Sequence, residues 1–164
     1  MDYKKINVDN FVYKRGYQNN INVFHKGSKL SFTTPVLECN TEIMEEGKNK
    51  YCIVLDLNNA TSFYNFLSQI EIILKRLDIN KFISSNDEFN FINYLKRNKI
   101  MKIKVPYRYK KFEVDVYNSN NEIITTSNIK PNISVTCDIE LKNIWVYNNL
   151  YGCLWILKKI TICD

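Results

Sequence analysis

Glycine and proline are scarce in this 164-residue chain, at four and three copies, so asparagine and aspartate must supply most of its turns. Neither GxxxxGKS/T nor GxGxxG occurs, which removes two common phosphate-cradling loops. Histidine occurs once, as His25, and the five cysteines (Cys39, Cys52, Cys137, Cys153, Cys163) form no CxxC pair. A zinc site or a histidine-activated nucleophile therefore has little to be built from. No apolar run approaches the ~20 residues of a membrane span, and the opening MDYKKINVDN is polar rather than signal-like. Free thiols without an export signal predict a reducing cytoplasm, no membrane partner, no metal and no cofactor.

What the chain does have is ordinary globular bulk, 45% hydrophobic and 24% charged, enough to bury a core without staples. Its formal charge of +6 favours an acidic partner without naming one. Asparagine, isoleucine and lysine dominate, and their A/T-rich codons point to an AT-rich genome, which discounts the lysine excess. The densest signal is Lys96 to Phe112, KRNKIMKIKVPYRYKKF, with eight Lys or Arg, no acid, and Tyr107, Tyr109 and Phe112 among the charges. Cations beside flat rings suit single-stranded nucleic acid, because cations neutralise phosphates while unpaired bases stack on the rings. A solvated, lysine-rich hairpin would carry the same residues.

Periodicity predicts strands at both ends of the chain. FVYKR (11–15) and INVF (21–24) are short strands, and Leu30, Phe32, Thr34 and Val36 alternate with polar residues. In YCIVLDL, Tyr51, Ile53, Leu55 and Leu57 share one face. Phe63, Phe66, Leu67, Ile70, Ile73, Leu74 and Leu77 recur at helical spacing, with Asn58, Asn59 or Thr61 as candidate caps. A second helix is expected over about Asp87 to Lys96. Beyond Ile100, Met101, Ile103 and Val105 take one phase and Lys102 and Lys104 the other. Phe112, Val114 and Val116 point inward on a strand over 112–117, and turns fall at 119–121 and 148–149, with Gly152 marking the second hairpin. Ile133, Val135, Cys137, Ile139 and Leu141 form another inward row that Trp145 continues, while Leu154, Ile156, Ile160 and Ile162 share an inward phase on the last strand. This order predicts a mainly β, α+β fold: one OB-like antiparallel barrel over 1–164 with added N-terminal strands and one or two helices.

The segment from Lys130 to Cys163 resembles the end of the OB-fold single-stranded DNA-binding proteins of large cytoplasmic DNA viruses. The residues that carry the resemblance are Ile144-Trp145-Val146-Tyr147, the Asn148-Asn149 turn, and Tyr151-Gly152-Cys153-Leu154-Trp155-Ile156. Thr33-Thr34-Pro35 and the Tyr51–Leu57 strand entering a helix fit the same layout. The composition is also similar to that of the corresponding protein of yeast cytoplasmic linear DNA plasmids. The resemblance implies an OB fold and sequence-independent binding of single-stranded DNA during replication of a viral or extrachromosomal linear genome. RNA is an alternative ligand and replication proteins are further partners.

Charge and phase select the candidate contacts. Lys102, Lys104, Arg108, Lys110 and Lys111 are expected on phosphates. Tyr109 is expected to stack on bases, and Tyr107 joins it where Pro106 turns the strand outward. Trp155, opposite in phase to Leu154 and Ile156 and near Lys159, is either an outward platform or a ring that covers the helix or packs under the N-terminal strands. Tyr13, Lys14, Arg15, Lys29 and Phe32 repeat the cation–aromatic mixture, and His25 is a phosphate contact or a surface or capping residue. Two other functions compete. Glu140-Leu141-Lys142 with Asp115 could hold Mg²⁺ in a nuclease, and the aromatic hairpin 145–155 could serve a protein-interaction adaptor.

Overall fold

A computed structural model describes residues 1–164. Five strands close a barrel: β1 (Leu37–Cys39), β2 (Lys50–Asp56), β3 (Ile100–Val105), β4 (Ile133–Tyr147) and β5 (Leu150–Ile162). They hydrogen-bond around the ring in the order β4-β1-β2-β3-β5, and β5 returns to β4. Every seam is antiparallel except β3–β5, where Ile156 faces Lys104 in parallel register. The architecture is an OB-like barrel with extra strands and a single α-helix.

That helix, α1 (Thr61–Lys75), lies in the chain between β2 and β3. Its expected stripe is the one that packs: Phe63, Phe66, Leu67, Ile70 and Leu74 are buried. None of the candidate caps holds it, because Ala60 occupies the N-cap position and no side chain bonds the first turn. Tertiary bonds anchor it instead. The Tyr94 hydroxyl donates to the Leu67 carbonyl at 2.7 Å, and the Tyr151 hydroxyl to the Leu74 carbonyl at 2.9 Å.

The second helix does not form. Asn90–Ile92 is a strand that runs parallel to β5, pairing Phe91 with Tyr151 and Ile92 with Gly152. Pairing to an existing strand overrides a weak helical pattern there. The N-terminal strands Val12–Arg15 and Ile21–His25 form a hairpin that joins β4 through Ile21 and Ile144. Leu30, Phe32 and Thr34 are buried as expected, but the strand stops at Thr33 and Pro35 follows. Leu37 then takes the inward position and Val36 is exposed. The expected strand over 112–117 is also split. Lys111–Phe112 belongs to a small hairpin with Tyr107–Arg108, whereas Asp115–Tyr117 runs parallel to β5.

Two irregularities in the β4–β5 pairing set the core. Lys142 is an extra residue between the pairs Leu141↔Trp155 and Asn143↔Leu154. Lys158 is an extra residue between Ile139↔Leu157 and Asp138↔Lys159. A single inserted residue reverses strand alternation. Upstream of Lys158, the inward residues of β5 are therefore Tyr151, Trp155 and Leu157; downstream, Ile160 is inward. On β4, Val135, Cys137, Ile139 and Leu141 are buried as expected, but past the insertion Ile144 replaces Trp145 in the core.

Trp155 is consequently only 2% exposed and Phe32 only 1%, so neither is a surface ring. Their rings meet edge-on at 5.6 Å, and Phe32 also meets Phe63 and Phe66 at 5.9 and 5.2 Å. His25 is likewise buried rather than at the surface, edge-on to Phe11. Burial, with Lys26 nearby, lowers its pKa. Truncating a buried Phe typically costs about 3–5 kcal/mol. Phe32→Ala is expected to lower the urea-unfolding free energy by that order, measured at equilibrium.

Candidate nucleic-acid interface

The outward phase of β2 and β3 begins with residues whose inward neighbours must fill the barrel. Because Ile53, Leu55, Met101, Ile103 and Val105 point in, Lys102 and Lys104 must point out. They stand over a chain of three depressions that share lining residues. The middle one, about 330 Å³, is lined by Glu46, Lys50, Tyr51, Cys52, Lys102, Lys104, Cys153 and Leu154, with the buried Trp155 at its floor. Lys104 also lines a depression of about 430 Å³ with Tyr107, Arg108, Glu113, Glu140, Lys142, Ile156 and Lys158. Lys102 also lines one of about 180 Å³ with Ile92, Asn93, Lys96, Trp145 and Gly152. Together they make one trough across the β2–β3–β5 surface. Its cations are Lys50, Lys96, Lys102, Lys104, Arg108, Lys142 and Lys158, against the carboxylates Glu46, Glu113 and Glu140.

The cations feel one another. Partial burial lowers the Lys104 pKa, and the like charges of Lys142 and Lys50 lower it further. Lys102 behaves oppositely, since its ammonium donates to the Glu46 carboxylate and is held above its ordinary value. Arg108 Nε lies 3.9 Å from Glu113 Oε1. Lys29 does not line the trough but borders it, donating to the Lys142 carbonyl and to Asn22 Oδ1, both at 2.6 Å.

Tyr107 is half-buried in a ring cluster, 4.7 Å from Tyr51 and 5.1 Å from Phe112. This cluster is the base of the 107–112 hairpin. At its tip Tyr109 and Lys110 both have positive φ, 51° and 59°, the pairing that a two-residue hairpin turn requires. Tyr109 is 88% exposed, with Lys110 and Lys111 beside it.

The N-terminal candidates separate. Lys14 and Lys29 both lie over the Phe24 ring, at 5.4 and 5.9 Å, and Arg15 is exposed on the same hairpin. Tyr13 turns inward toward Phe82, 6.3 Å away, with its hydroxyl buried and unpaired, and burial pushes its pKa up to about 12. It is a packing residue, not an open ring. Lys159 lies outside the trough lining, 4.5 Å over the Tyr117 ring. The acids of the nuclease reading are also apart. Asp115 pairs with Lys159 on one side of β5, while Glu140 pairs with Ile156 from the other side. No group of three His, Cys, Asp or Glu is placed to hold a metal ion.

Lys50, Lys142, Lys158, Leu154 and Ile156 are trough residues that phase reasoning missed or turned inward. Two of them are the inserted lysines, which strict alternation cannot locate.

Among solved structures, the fold is similar to that of the single-stranded DNA-binding protein of bacteriophage Enc34. In complex with single-stranded DNA, that protein matches with a TM-score of 0.58 at 12% identity, over 94% of this chain and 95% of that one. A C-terminal truncation of it matches at 0.55 and 10% identity, over 96% and 97%. A third structure of it matches at 0.56 and 12% identity, over 93% and 88%. What is shared is the fold. No protein-family model and no curated protein matches the chain. No helix is long and apolar enough to cross a membrane.

The Glu46–Lys102 pair has a defined pH window. Hydrogen bonding to Lys102 lowers the Glu46 pKa, so its stabilisation is present above the ordinary carboxyl value and lost as pH falls through the lowered one. For Lys102 the stabilisation is present below the ordinary ammonium value and lost as pH rises through its raised one. In Lys102→Met, the Glu46 carboxyl is expected to titrate at higher pH than in the parent, read by carboxyl-carbon NMR.

Proposed function

We propose that the chain is a non-enzymatic single-stranded DNA-binding protein whose residues 1–164 act as one nucleic-acid-binding domain. The observation that carries this reading is the run of cations around Lys104, set beside the half-buried Tyr51 and Tyr107 rings on the β2–β3 surface that OB folds use for oligonucleotides. The fold likeness to a phage protein solved with single-stranded DNA supports it. Lys50, Lys102, Lys104, Arg108, Lys142 and Lys158 neutralise successive phosphates along the trough. Lys110, Lys111 and Tyr109 reach the strand from the hairpin tip, and Tyr107 braces that hairpin. Lys14, Arg15 and Lys29 extend the track past β4, and Lys159 past β5.

Phosphate neutralisation supplies affinity without reading sequence, and ring stacking selects unpaired strands because duplex hides base faces. The protein would then coat exposed strands, DNA or RNA, during replication of an AT-rich viral or extrachromosomal linear genome in the cytoplasm, beside other replication proteins. Nothing in the arrangement of Asp115, Glu140 and Lys142 favours cleavage.

For single strands, each phosphate contact contributes roughly 0.7 to the slope of log K against log salt. Replacing Lys104, Lys142 and Lys158 together by Ala is expected to weaken oligo-dT binding and flatten that slope by about 2, read by anisotropy of labelled oligo-dT across salt. Tyr109→Ala is expected to weaken binding with the slope unchanged. An unaltered slope in the triple variant would remove the trough from the binding surface.

A further inference from the structure

The cation-rich part of the trough accounts for phosphates but offers few flat, open rings. At its other end one ring is laid out in an unusual way. Trp145 pairs directly across from Gly152. A Cβ built on Gly152 would sit 2.7, 2.9 and 3.1 Å from Trp145 Cζ2, Cε2 and Nε1. The indole therefore rests on bare backbone, a seat that only glycine leaves free. The Lys142 insertion puts the ring there, by turning Ile144 into the core and Trp145 out of it.

The ring is only partly covered and lines the depression of about 180 Å³ with Ile92, Asn93, Lys96 and Lys102. The facing wall is held by a buried acid. Glu71 of α1 accepts the Leu95 backbone N–H at 2.9 Å and the Asn93 side-chain amide at 3.1 Å. That bond uses one N–H of the Asn93 amide and fixes its orientation, leaving the carbonyl oxygen to accept a hydrogen bond.

We infer that this end of the trough is a single-base subsite: one unpaired nucleobase stacks on Trp145, donates an edge N–H to Asn93, and carries a phosphate to Lys96 or Lys102. The inference rests on the single-stranded DNA reading and adds to it a ring and a pocket. All four bases have an N–H on their pairing edge, so the subsite is tolerant of sequence. It does require a base, which phosphate contacts do not.

The chain's tryptophans make the test direct, since Trp155 is buried and Trp145 is the other one. Full-length parent, Trp155→Phe, Trp145→Phe, Trp145→Ala and Gly152→Ala proteins are titrated with fluorescein-labelled oligo-dT and with an abasic phosphodiester oligomer of equal length. Anisotropy reports binding and tryptophan emission reports stacking. The expected result is quenching that survives in Trp155→Phe and vanishes in Trp145→Phe. Trp145→Ala should lose roughly tenfold in affinity for oligo-dT, within the range of one stacked base, and lose nothing for the abasic oligomer. Gly152→Ala, which unseats the ring without removing it, should show the same selective loss.

Bound oligo-dT with unquenched Trp145 emission, or equal weakening toward both oligomers, overturns the subsite and leaves the single-stranded DNA reading standing. Absence of binding to both oligomers overturns the reading and the subsite together. Should Trp155→Phe fail to fold, the difference in quenching between parent and Trp145→Phe decides the same point.

Discussion

The molecule depends on two inserted lysines in its longest hairpin. Lys142 and Lys158 each add one residue to a strand without adding a partner, so the pairing of β4 with β5 changes phase at each. Between them, Trp155 and Leu157 face the core while Leu154 and Ile156 line the trough. The inserted residues lack a cross-strand partner and bend toward solvent, so the devices that curve the barrel also deliver two of its cations. Shape and charge come from the same residues.

The helix contributes at both ends of this arrangement. Placed between β2 and β3, α1 packs the Phe63 and Phe66 rings against Phe32 in the core. Its Glu71 reaches out of the core to fix residues 93–95, the wall opposite Trp145. A buried carboxylate is tolerable because its oxygens accept two N–H groups. Core packing and trough geometry are thereby linked through one side chain, without any residue having to serve both surfaces.

The barrel strands and α1 could be read from periodicity because each buries a regular face: Ile53 and Leu55, Met101 to Val105, Val135 to Leu141, Phe63 to Leu74. The outward phase of Lys102 and Lys104 in the basic run 96–112 is legible in the same way. The failures were local and share a cause. Trp155, Trp145 and Leu154 leave the phase that unbroken alternation predicts, because a one-residue insertion reverses it and no composition reveals the insertion. Tyr13 and Phe32 sit in a cation-rich setting yet pack inward, because ring burial depends on what lies across the fold, here Phe82 and α1. The segment 87–96 carried a helical pattern but lies beside β5, and pairing decided it.

The extended sheet ends in two very different borders. One is Val12–Arg15, whose last residues are Lys14 and Arg15; the other is Ile123–Ile124, only two residues long. Charge guards the first and brevity the second, both recognised means of denying a neighbouring chain a template for further strand addition. Copies of such a chain can abut at high local concentration without fusing into a continuous aggregate.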